Sequence, residues 1–404
     1  MNYKDTTEWL FNQLPMYQTQ GATAYKENLD NTLLLLKHIG NPDQKIKCIH
    51  VAGTNGKGST SHLLASVYQE AGYKVGLYTS PHLKDYRERI KINGKEISET
   101  FVCEFVAKNI AFFEKHELSF FEMTVGLAFE YFNFAKTDIN IIEVGLGGRL
   151  DATNVITPLL SVITNIGLDH VQFLGDKLAK IAFEKGGIIK PNVPVVIGEY
   201  SAETKPVFEN LAAQNKAPIY FASDKNHPDY PCELKGDYQI ANKKTVLTAI
   251  QLLSEKLPIT EETLKKGFEK VVQNTGLLGR WQQIGANPKT ICDTAHNAHG
   301  LEVVMKQLKN EPFDALHIVL GFVNDKDLDK ILPLFPQKAN YYFSKPSISR
   351  GLDEKILLKK ASQFNLIGTA YNSVSEAYEA ALKNAAATDF IYIGGSTFTV
   401  AEVL

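Results

Sequence analysis

The chain has 404 residues, of which 44% are hydrophobic and 22% are charged, a composition typical of globular proteins that excludes intrinsic disorder. Its 43 Lys and Arg residues nearly balance its 45 Asp and Glu residues, so the net charge is −2 and no general attraction to nucleic acid or to an anionic membrane is expected. This length favours two domains over one.

The four cysteines of the chain are scattered, and none belongs to a C-x-x-C pair. This spacing argues against a zinc site and against a disulfide framework, and it favours reduced thiols used for packing. The first residues lack the apolar run of a signal peptide, and no stretch has the length of a membrane span. We therefore expect a cytoplasmic protein.

Two amphipathic helices are expected before the first strand, over residues 6–14 and 26–39. In the second helix, the apolar spacing predicts a face that includes Leu29, Leu33 and Leu36. The Gly-Asn-Pro segment at residues 40–42 then ends this helix.

The next stretch joins a buried strand to a helix through a glycine-rich turn. Residues 48–51 have the β-branched character of a buried parallel strand, and residues 52–60 read AGTNGKGST. Backbone N–H groups and the positive end of a helix dipole would surround one point, where Lys57 adds a full charge, which favours polyphosphate binding. The turn is a variant of the Walker pattern because Gly58 follows Lys57 and Val51 stands where a glycine is usual. The alternative is a glycine-rich connection with a solvated lysine.

Strands and helices then alternate through the first half of the chain, which predicts a parallel sheet with ligands at the carboxyl ends of its strands. An Asn-Gly turn inside residues 90–97 predicts a small hairpin. The other strands are expected at residues 72–78, 140–144, 160–166 and 193–197, and the helices after residue 98 and at residues 120–134 and 181–189.

Several polar side chains fall at the predicted strand ends, and each has a structural alternative. Glu143 ends a buried strand and is placed to hold Mg²⁺ against phosphates, unless it merely caps the following glycine turn. Ser80 is either a hard oxygen ligand or a Ser-Pro turn residue. His170 is a ligand or a structural histidine, and Lys185 is either functional or a solvated helical lysine.

A second α/β alternation follows residues 244–272, which are expected to be helical. The segment 275–282 interrupts both periodicities, so we predict domains at residues 1–275 and 283–404 joined by a linker at residues 276–282. Strands are expected at residues 290–293, 316–320, 339–343 and 390–393. The polar segments DTAHN at 293–297 and DKD at 325–327 are either surface loops or parts of a site facing the first domain.

These motifs together resemble the folylpolyglutamate synthase and dihydrofolate synthase branch of the Mur ligase superfamily. The matching segments, in order, are GTNGKGS, TSPHL, ERIKINGKEI, FFEMT, EVGLGGRLDATN, TNIGLDH, EKGGIIKP, the region around Arg280, DTAHN and GFVNDKD. The resemblance implies an α/β fold with an N-terminal P-loop-type parallel-sheet ATPase domain and a smaller Rossmann-like C-terminal domain. It also implies the bifunctional bacterial type of enzyme.

The implied reaction joins L-glutamate to dihydropteroate or to the glutamate tail of a reduced folate, through an acyl phosphate and a tetrahedral intermediate, with release of ADP and phosphate. The implied cofactors are ATP and two Mg²⁺ ions, and a monovalent cation such as K⁺ is compatible with the family. The implied partners are small-molecule substrates only, with no nucleic acid and no membrane, and the implied state is a monomer.

The resemblance also assigns roles to individual residues. The phosphate-binding positions of the family correspond to the turn residues Gly53, Thr54, Asn55, Gly56, Lys57, Gly58 and Ser59. The magnesium-binding positions of the family correspond to Ser80, Glu143 and His170. Its further ATP contacts correspond to Asn242, Arg280 and Asp293, and the resemblance implies that the last two act across the domain cleft. The folate site matches Phe121, Leu150 and Asp151, and Lys185 matches a carbamylated lysine. The implied catalytic set is Lys57, Glu143, His170 and Lys185.

Two positions depart from the family pattern. The usual Pro-Gly-Arg of the linker reads Leu278-Gly279-Arg280, which bears on linker stiffness, and Gly186 replaces an alanine after Lys185. Two rival readings stay open at this stage: a Mur ligase of the cell-wall branch, and a non-catalytic, nucleotide-regulated binding protein. TSPHL and EVGLGGRLDATN favour the folate branch.

Overall fold

The computed structural model describes residues 1–13 and 28–404, and the chain divides into two compact units. Unit 1 comprises Met1–Glu233 and Ile240–Gly276, and unit 2 comprises Leu234–Gln239 and Leu277–Leu404. Each unit is built on one mostly parallel sheet with helices, so the predicted α/β fold class with a smaller second domain is confirmed.

The strands of unit 1 are β1 Cys48–Ala52, β2 Val75–Tyr78, β3 Ile90–Ile92, β4 Lys95–Glu96, β5 Ile139–Glu143, β6 Leu160–Ile163, β7 Val195–Ile197 and β8 Ile219–Phe221. Its helices are α1 Tyr3–Asn12, α2 Asp30–His38, α3 Lys57–Glu70, α4 Glu99–Lys115, α5 Phe120–Ala135, α6 Val171–Leu174, α7 Leu178–Gly186, α8 Lys205–Gln214, α9 Gln239–Leu253, α10 Glu261–Glu269 and α11 Val271–Thr275. Short 3₁₀ turns occupy Pro42–Gln44, Tyr86–Arg89, Ala152–Val155 and Ala222–Asp224.

Strand β1 lies in the interior of the sheet of unit 1, between β5 and β6. The strand order is β4-β3-β2-β5-β1-β6-β7-β8, and β1 pairs in parallel with β5 and with β6. All five residues of β1 are buried, as expected for a strand covered by helices on both faces. The carboxyl ends of β5, β1 and β6 therefore meet at one edge, where an open parallel sheet binds its ligand.

Unit 2 has its own sheet in the order β13-β12-β11-β14-β10-β9. Its strands are β9 Gln282–Ala286, β10 Lys289–Cys292, β11 Leu316–Leu320, β12 Asn340–Ser344, β13 Gly368–Tyr371 and β14 Phe390–Gly394. Its helices are α12 Ala298–Leu308, α13 Leu328–Ile331, α14 Glu354–Ser362, α15 Val374–Asn384 and α16 Thr397–Ala401, with a 3₁₀ turn at Leu332–Leu334.

The structure corrects several expectations from the sequence. Helix α2 begins at Asp30, and its buried face runs through Thr32, Leu35 and Leu36 at i, i+3 and i+4. The predicted burial of Leu36 is therefore confirmed, whereas Leu33 lies off this face and is exposed. The predicted start of this helix at residues 26–27, and the end of the first helix at residue 14, lie outside the described residues. Strands β9 and β13 were not predicted; β9 runs antiparallel to β10.

No helix within residues 1–13 and 28–404 combines the length and the apolar character needed to cross a bilayer.

Several side chains hold the last turn of α11 in place. This turn comes just before the chain leaves unit 1. The buried ammonium of Lys91 donates to the carbonyl of Thr275 at 3.1 Å, and Nδ1 of His62 lies 2.8 Å from the Thr275 hydroxyl. The Asn274 amide donates to Ser66 and Glu70 of α3, and a Cβ added at Gly94 would lie 2.1 Å from the Asn274 carbonyl oxygen. The chain therefore leaves unit 1 at a fixed point.

We predict that Lys91→Met loosens this point without unfolding the protein. A lost hydrogen bond to a charged group costs about 1.5–3 kcal/mol, so local opening at Thr275 should rise by about tenfold. Global stability should change by less than about 1 kcal/mol because the apolar methionine also relieves the buried charge. Limited proteolysis within residues 276–282 measures the opening, and the exposed Lys95→Met of the same hairpin is the control. Equal cleavage of the two variants would contradict the anchor.

Candidate active site

The glycine-rich turn after β1 has no room for side chains at two positions. Gly53 has φ +147°, and a Cβ added there would lie 1.8 Å from Oγ1 of Thr164. Gly56 has φ +81°, and its Cβ would lie 2.3 Å from Oδ1 of Asn242. Both glycines are required by close packing and by a backbone conformation that L side chains rarely adopt. Asn242, which the resemblance assigns to the nucleotide, therefore lies against the turn.

The turn leads directly into helix α3, and Lys57 is the first residue of this helix. The Lys57 ammonium folds back over the turn and donates to the carbonyls of Gly53 at 3.0 Å and Thr54 at 3.1 Å. A helix amino terminus with free backbone N–H groups and a lysine over it is a site for an anion. Gly58 and the buried Ser59 lie in the first turn of α3, beside this point.

The end of β6 holds the turn in place. The Thr54 hydroxyl donates to the carbonyl of Gly167 at 3.1 Å and accepts from the Gly167 amide at 2.9 Å. The Asn55 amide donates to Oδ1 of Asn165 at 2.9 Å, and the Thr164 hydroxyl donates to the Asn55 carbonyl at 2.6 Å. These bonds preorganise the turn, and the roles of Thr164 and Asn165 in holding it were not predicted.

Glu143 and Ser80 lie together beside this turn. Glu143, the last residue of β5, is in parallel register with Val51 of β1, and its carboxylate is buried. The Ser80 amide, at the end of β2, donates to Oε2 of Glu143 at 3.4 Å. The Ser80–Pro81 peptide bond is cis. Ser80 and Glu143 therefore lie close together at this edge of the sheet.

His170 follows β6 and starts α6 in the left-handed conformation, with φ 51°. Its backbone amide donates to Oδ1 of Asp169 at 3.0 Å, and its Nε2 lies 3.7 Å from Oδ2 of the same carboxylate. The Asp169 carboxylate therefore lies beside the imidazole, a contact that the GLDH motif did not reveal.

Lys185 is buried in the last turn of α7. Desolvation by burial, together with the positive charge of Lys57, lowers the pKa of Lys185 to about 7, against the attraction of Asp169 and Asp151. An amine with this pKa is about half unprotonated at pH 7. The burial of Lys185 excludes the alternative of a solvated helical lysine. Lys57, Asp169 and Asp151 all lie within electrostatic range of Lys185.

The three residues matched to the folate site surround the loop after β5. A Cβ added at Gly145 would lie 2.3 Å from Cζ of Phe121, so this ring rests directly on the loop. Leu150 is half-buried in the same loop. Asp151 is buried, and its carboxylate accepts from the amides of Gly145 at 3.0 Å and Leu146 at 2.8 Å. Its carboxylate thus shapes the loop.

In unit 2, Asp293 follows β10, and its carboxylate accepts hydrogen bonds from one hydroxyl and two backbone amides. It accepts from the Tyr238 hydroxyl at 2.6 Å, the Trp281 amide at 2.7 Å and the Ala295 amide at 2.8 Å. Burial raises the pKa of Asp293, which these bonds oppose. The guanidinium of Arg280 donates to the Gly279 carbonyl at 3.2 Å and to the Thr294 hydroxyl.

A buried arginine behind the Ser80 loop was noted in the sequence but given no role. Nε of Arg89 donates to Nδ1 of His82 at 2.7 Å, and its guanidinium lies 5.1 Å from the Phe120 ring centroid. Burial, and then the Arg89 charge, lowers the pKa of His82 to about 3, so this imidazole is a neutral acceptor. The pairing connects the TSPHL and ERIKINGKEI motifs through the loop between them.

The residues at this edge suit magnesium. No group of three or more His, Cys, Asp or Glu side chains in the described part of the chain is arranged to hold a metal by itself. One buried carboxylate beside a serine and an anion-binding turn is instead the arrangement of a Mg²⁺ site completed by phosphate oxygens and water. The donors Ser80, Glu143 and His170 therefore fit Mg²⁺ bound together with a polyphosphate.

Comparison with known proteins agrees with this geometry. Residues 51–280 match the Mur ligase middle domain, and residues 279–397 match the Mur ligase glutamate ligase domain. The dihydrofolate synthase/folylpolyglutamate synthase of Buchnera aphidicola subsp. Schizaphis graminum is 33% identical over 401 residues, covering 94% of this chain and 92% of that protein. The structure of Escherichia coli FolC in complex with DHPP and ADP superposes with a TM-score of 0.88 at 29% identity, covering 100% of this chain and 97% of that one.

A relative from Haloferax volcanii, named a probable bifunctional folylpolyglutamate synthase/dihydropteroate synthase, is 30% identical over 435 residues. The match covers 100% of this chain but 50% of that protein, so the chain spans about half the length of this relative. By its domains, its relatives and its fold, the chain belongs to the folylpolyglutamate synthase and dihydrofolate synthase family of the Mur ligases.

Proposed function

We propose that the protein is an ATP-dependent ligase that joins the amine of L-glutamate to a carboxylate of dihydropteroate or of a reduced folate. The observation that carries this proposal is the parallel register of β1 and β5, which sets a phosphate-binding turn beside the buried carboxylate of Glu143. The family relationship supplies the reaction class.

The turn residues Gly53 to Ser59 bind the phosphates of ATP, with Lys57 donating to the transferred phosphoryl group. A carboxylate is a poor electrophile, so transfer of the γ-phosphoryl group to the acceptor carboxylate must bring two anions together. The backbone amides at the start of α3 and the Lys57 ammonium offset this repulsion, and their fixed positions spare reorganisation during the reaction.

Ser80, Glu143 and His170 would hold magnesium, which supplies charge neutralisation between the phosphates and the acceptor carboxylate when it is bound. The position of Glu143 at the end of β5, in register with Val51 of β1, supports this role, and Asp169 lies beside the His170 imidazole. We propose that Lys185 carries a carbamate, whose oxygens would add negative charge to the same edge. A second magnesium ion and a monovalent cation such as K⁺ stay predictions.

Phe121 and Leu150 are proposed to contact the pteroate group of the acceptor, since an aromatic ring and a half-buried leucine border the loop after β5. Asp151 is proposed to act on the same acceptor through the loop that it holds. Asn242 in unit 1 and Arg280 and Asp293 in unit 2 are proposed as further contacts to ATP, as the resemblance implies.

We further propose that the enzyme is a cytoplasmic monomer that uses small-molecule substrates and binds neither nucleic acid nor membrane. The four free cysteines accord with a reducing compartment, and the net charge of −2 gives no general attraction for polyanions. We also propose that dihydropteroate and a reduced folate are both acceptors, because nearly full-length relatives carry both activities in their names.

The central test measures phosphate release from ATP with purified protein. We expect release only when L-glutamate is present together with dihydropteroate or a reduced folate, and we expect Lys57→Ala to lower it by about 100- to 1,000-fold. The exposed Lys47→Ala, just before β1, is the matched control. Release without an acceptor would refute the ligase, activity with a single acceptor would refute bifunctionality, and an active Lys57→Ala would refute the phosphate site.

The second prediction concerns the metal. Glu143→Gln keeps the shape of the side chain and removes its charge, so activity should fall by about 10- to 100-fold, and the magnesium concentration for half-maximal activity should rise. Titration of activity with MgCl₂ measures both effects, with the exposed Glu114→Gln as control. An unchanged magnesium dependence in Glu143→Gln would remove this residue from the metal site.

The third prediction concerns pH and carbon dioxide. Burial places the pKa of Lys185 at about 7 instead of 10.5, so the amine is free above that pH and an ammonium below it. Because only the free amine reacts with carbon dioxide, bicarbonate should restore activity to carbon dioxide-depleted enzyme more strongly at about pH 8 than at about pH 6.

Lys185→Ala should be nearly inactive at both pH values and should not respond to bicarbonate, but a short carboxylate in solution should restore part of its activity. Lys180→Met, on the same helix and exposed, is the control and should behave as the parent protein. A bicarbonate response of equal size in Lys185→Ala would show that another group is carbamylated.

A further inference from the structure

A buried histidine on the central strand takes no part in the chemistry described above. His50 is the third residue of β1, is fully buried, and pairs in register with Ile142 of β5 and Ser161 of β6. It lies three residues before the first glycine of the phosphate-binding turn. A polar ring at the centre of a sheet needs partners, and those partners identify what it does.

His50 begins a chain of hydrogen bonds that runs out of the sheet. Its Nε2 lies 2.8 Å from Oγ1 of Thr153, and Oγ1 of Thr153 donates to Oδ1 of Asp151 at 2.5 Å. The Thr153 amide also donates to Oδ1 of Asp151, at 3.0 Å. All three side chains are buried, so water does not compete with these bonds.

The Asp151 carboxylate, at the end of this chain of hydrogen bonds, determines which atom donates in each bond. Asp151 accepts from three backbone amides, so the single hydroxyl proton of Thr153 points to its carboxylate. The Thr153 oxygen can then only accept from His50, which places the ring proton on Nε2. Nδ1 of His50 is left bare and buried, with no hydrogen-bond partner among the residues that the structure describes.

The far end of the chain holds the turn that follows the metal-binding carboxylate. Oδ2 of Asp151 accepts from the amides of Gly145 and Leu146, which lie two and three residues after Glu143. On its other side Gly145 lies against the ring of Phe121. The position of this turn therefore sets both the end of β5 and one wall of the acceptor region.

We propose that His50 and Thr153 are positioning residues that fix the orientation of the Asp151 carboxylate and, through it, the Glu143–Leu146 turn. The proposal deepens the function proposed above and rests on it for its effect on ligation. It gives Asp151 the role of shaping the acceptor site, because four donors already occupy its two oxygens.

His50 is not suited to move protons itself. Burial, aided by the charge of Lys190, lowers the pKa of His50 to about 3, so the ring stays neutral at working pH. Lys190 acts on His50, and Lys185 and Tyr78 interact electrostatically with Asp151. Lys190 donates to the Asn154 carbonyl at 2.7 Å. A neutral donor that never changes charge suits a fixed support.

The first test uses paired variants. His50→Leu and Thr153→Val each break the chain, whereas His50→Gln and Thr153→Ser keep a donor and a hydroxyl. Ile49→Val, a neighbouring residue of β1 that makes no polar contact in the chain, controls for altered strand packing. We expect kcat to fall by about 10- to 100-fold, with a higher magnesium requirement, in the two breaking variants and to stay near the parent value in the others.

Two measurements separate positioning from simple loss of stability. Backbone amide exchange at Gly145 and Leu146 should accelerate in His50→Leu and Thr153→Val while the core of α3 stays protected, and ADP binding in the absence of metal should be unchanged. The double variant should lose no more activity than either single one, because both residues act through one carboxylate.

The side-chain ¹⁵N shifts of His50 in the parent protein give a readout that needs no activity. A proton on Nε2 and a bare Nδ1 are expected throughout the pH range of activity. A protonated Nδ1, additive losses in the double variant, or unchanged exchange at Gly145 and Leu146 in His50→Leu would each overturn the proposal. If the parent protein shows the expected shifts and exchange but no ligation, the proposed function fails and the positioning chain stands.

Discussion

The close approach of the glycine-rich turn to its neighbours is the constraint on which the rest of the site depends. Thr164 and Asn242 occupy the space that a side chain at Gly53 or Gly56 would need. Because the backbone is pressed against these partners, its amides can surround an anion without reorganising when the anion arrives. Strand β6 and helix α9 thus shape a site to which they contribute few obvious chemical groups.

A second constraint follows from charge. Ionisable side chains are concentrated at one edge of the sheet of unit 1, where Glu143, Asp151 and Lys185 are all buried. Isolated buried charges are costly, so such a cluster persists only where the charges offset one another or await a ligand. Burial, and then the positive charge of Lys57, lowers the pKa of Lys185 to about 7, so the ammonium form of Lys185 is disfavoured at this edge although Asp169 and Asp151 attract it.

The parts that could be predicted from the sequence are those with a strong local signal. The strand before Gly53 and the parallel alternation followed from periodicity and glycine spacing, whereas only the family resemblance grouped Ser80 with Glu143. Strand β13 was not predicted because its residues are short or half-buried. In the short helix α2, Leu33 was wrongly placed on the buried face, which runs through Thr32 and Leu35. The pairing of Arg89 with His82 and the chain from His50 to Asp151 depend on tertiary contacts that no local pattern encodes.

Asp151 shows how a residue matched by resemblance acquires a more specific meaning from geometry. As a motif position it reads as a contact to the acceptor, and a carboxylate in a pterin-binding loop would be a natural hydrogen-bond acceptor. Its two oxygens, however, already accept four hydrogen bonds from Gly145, Leu146 and Thr153, which is the capacity of a carboxylate. A substrate could bind it only by displacing one of these donors and releasing the turn. The carboxylate therefore contributes most by holding the loop in place, and recognition falls to the groups that the loop presents.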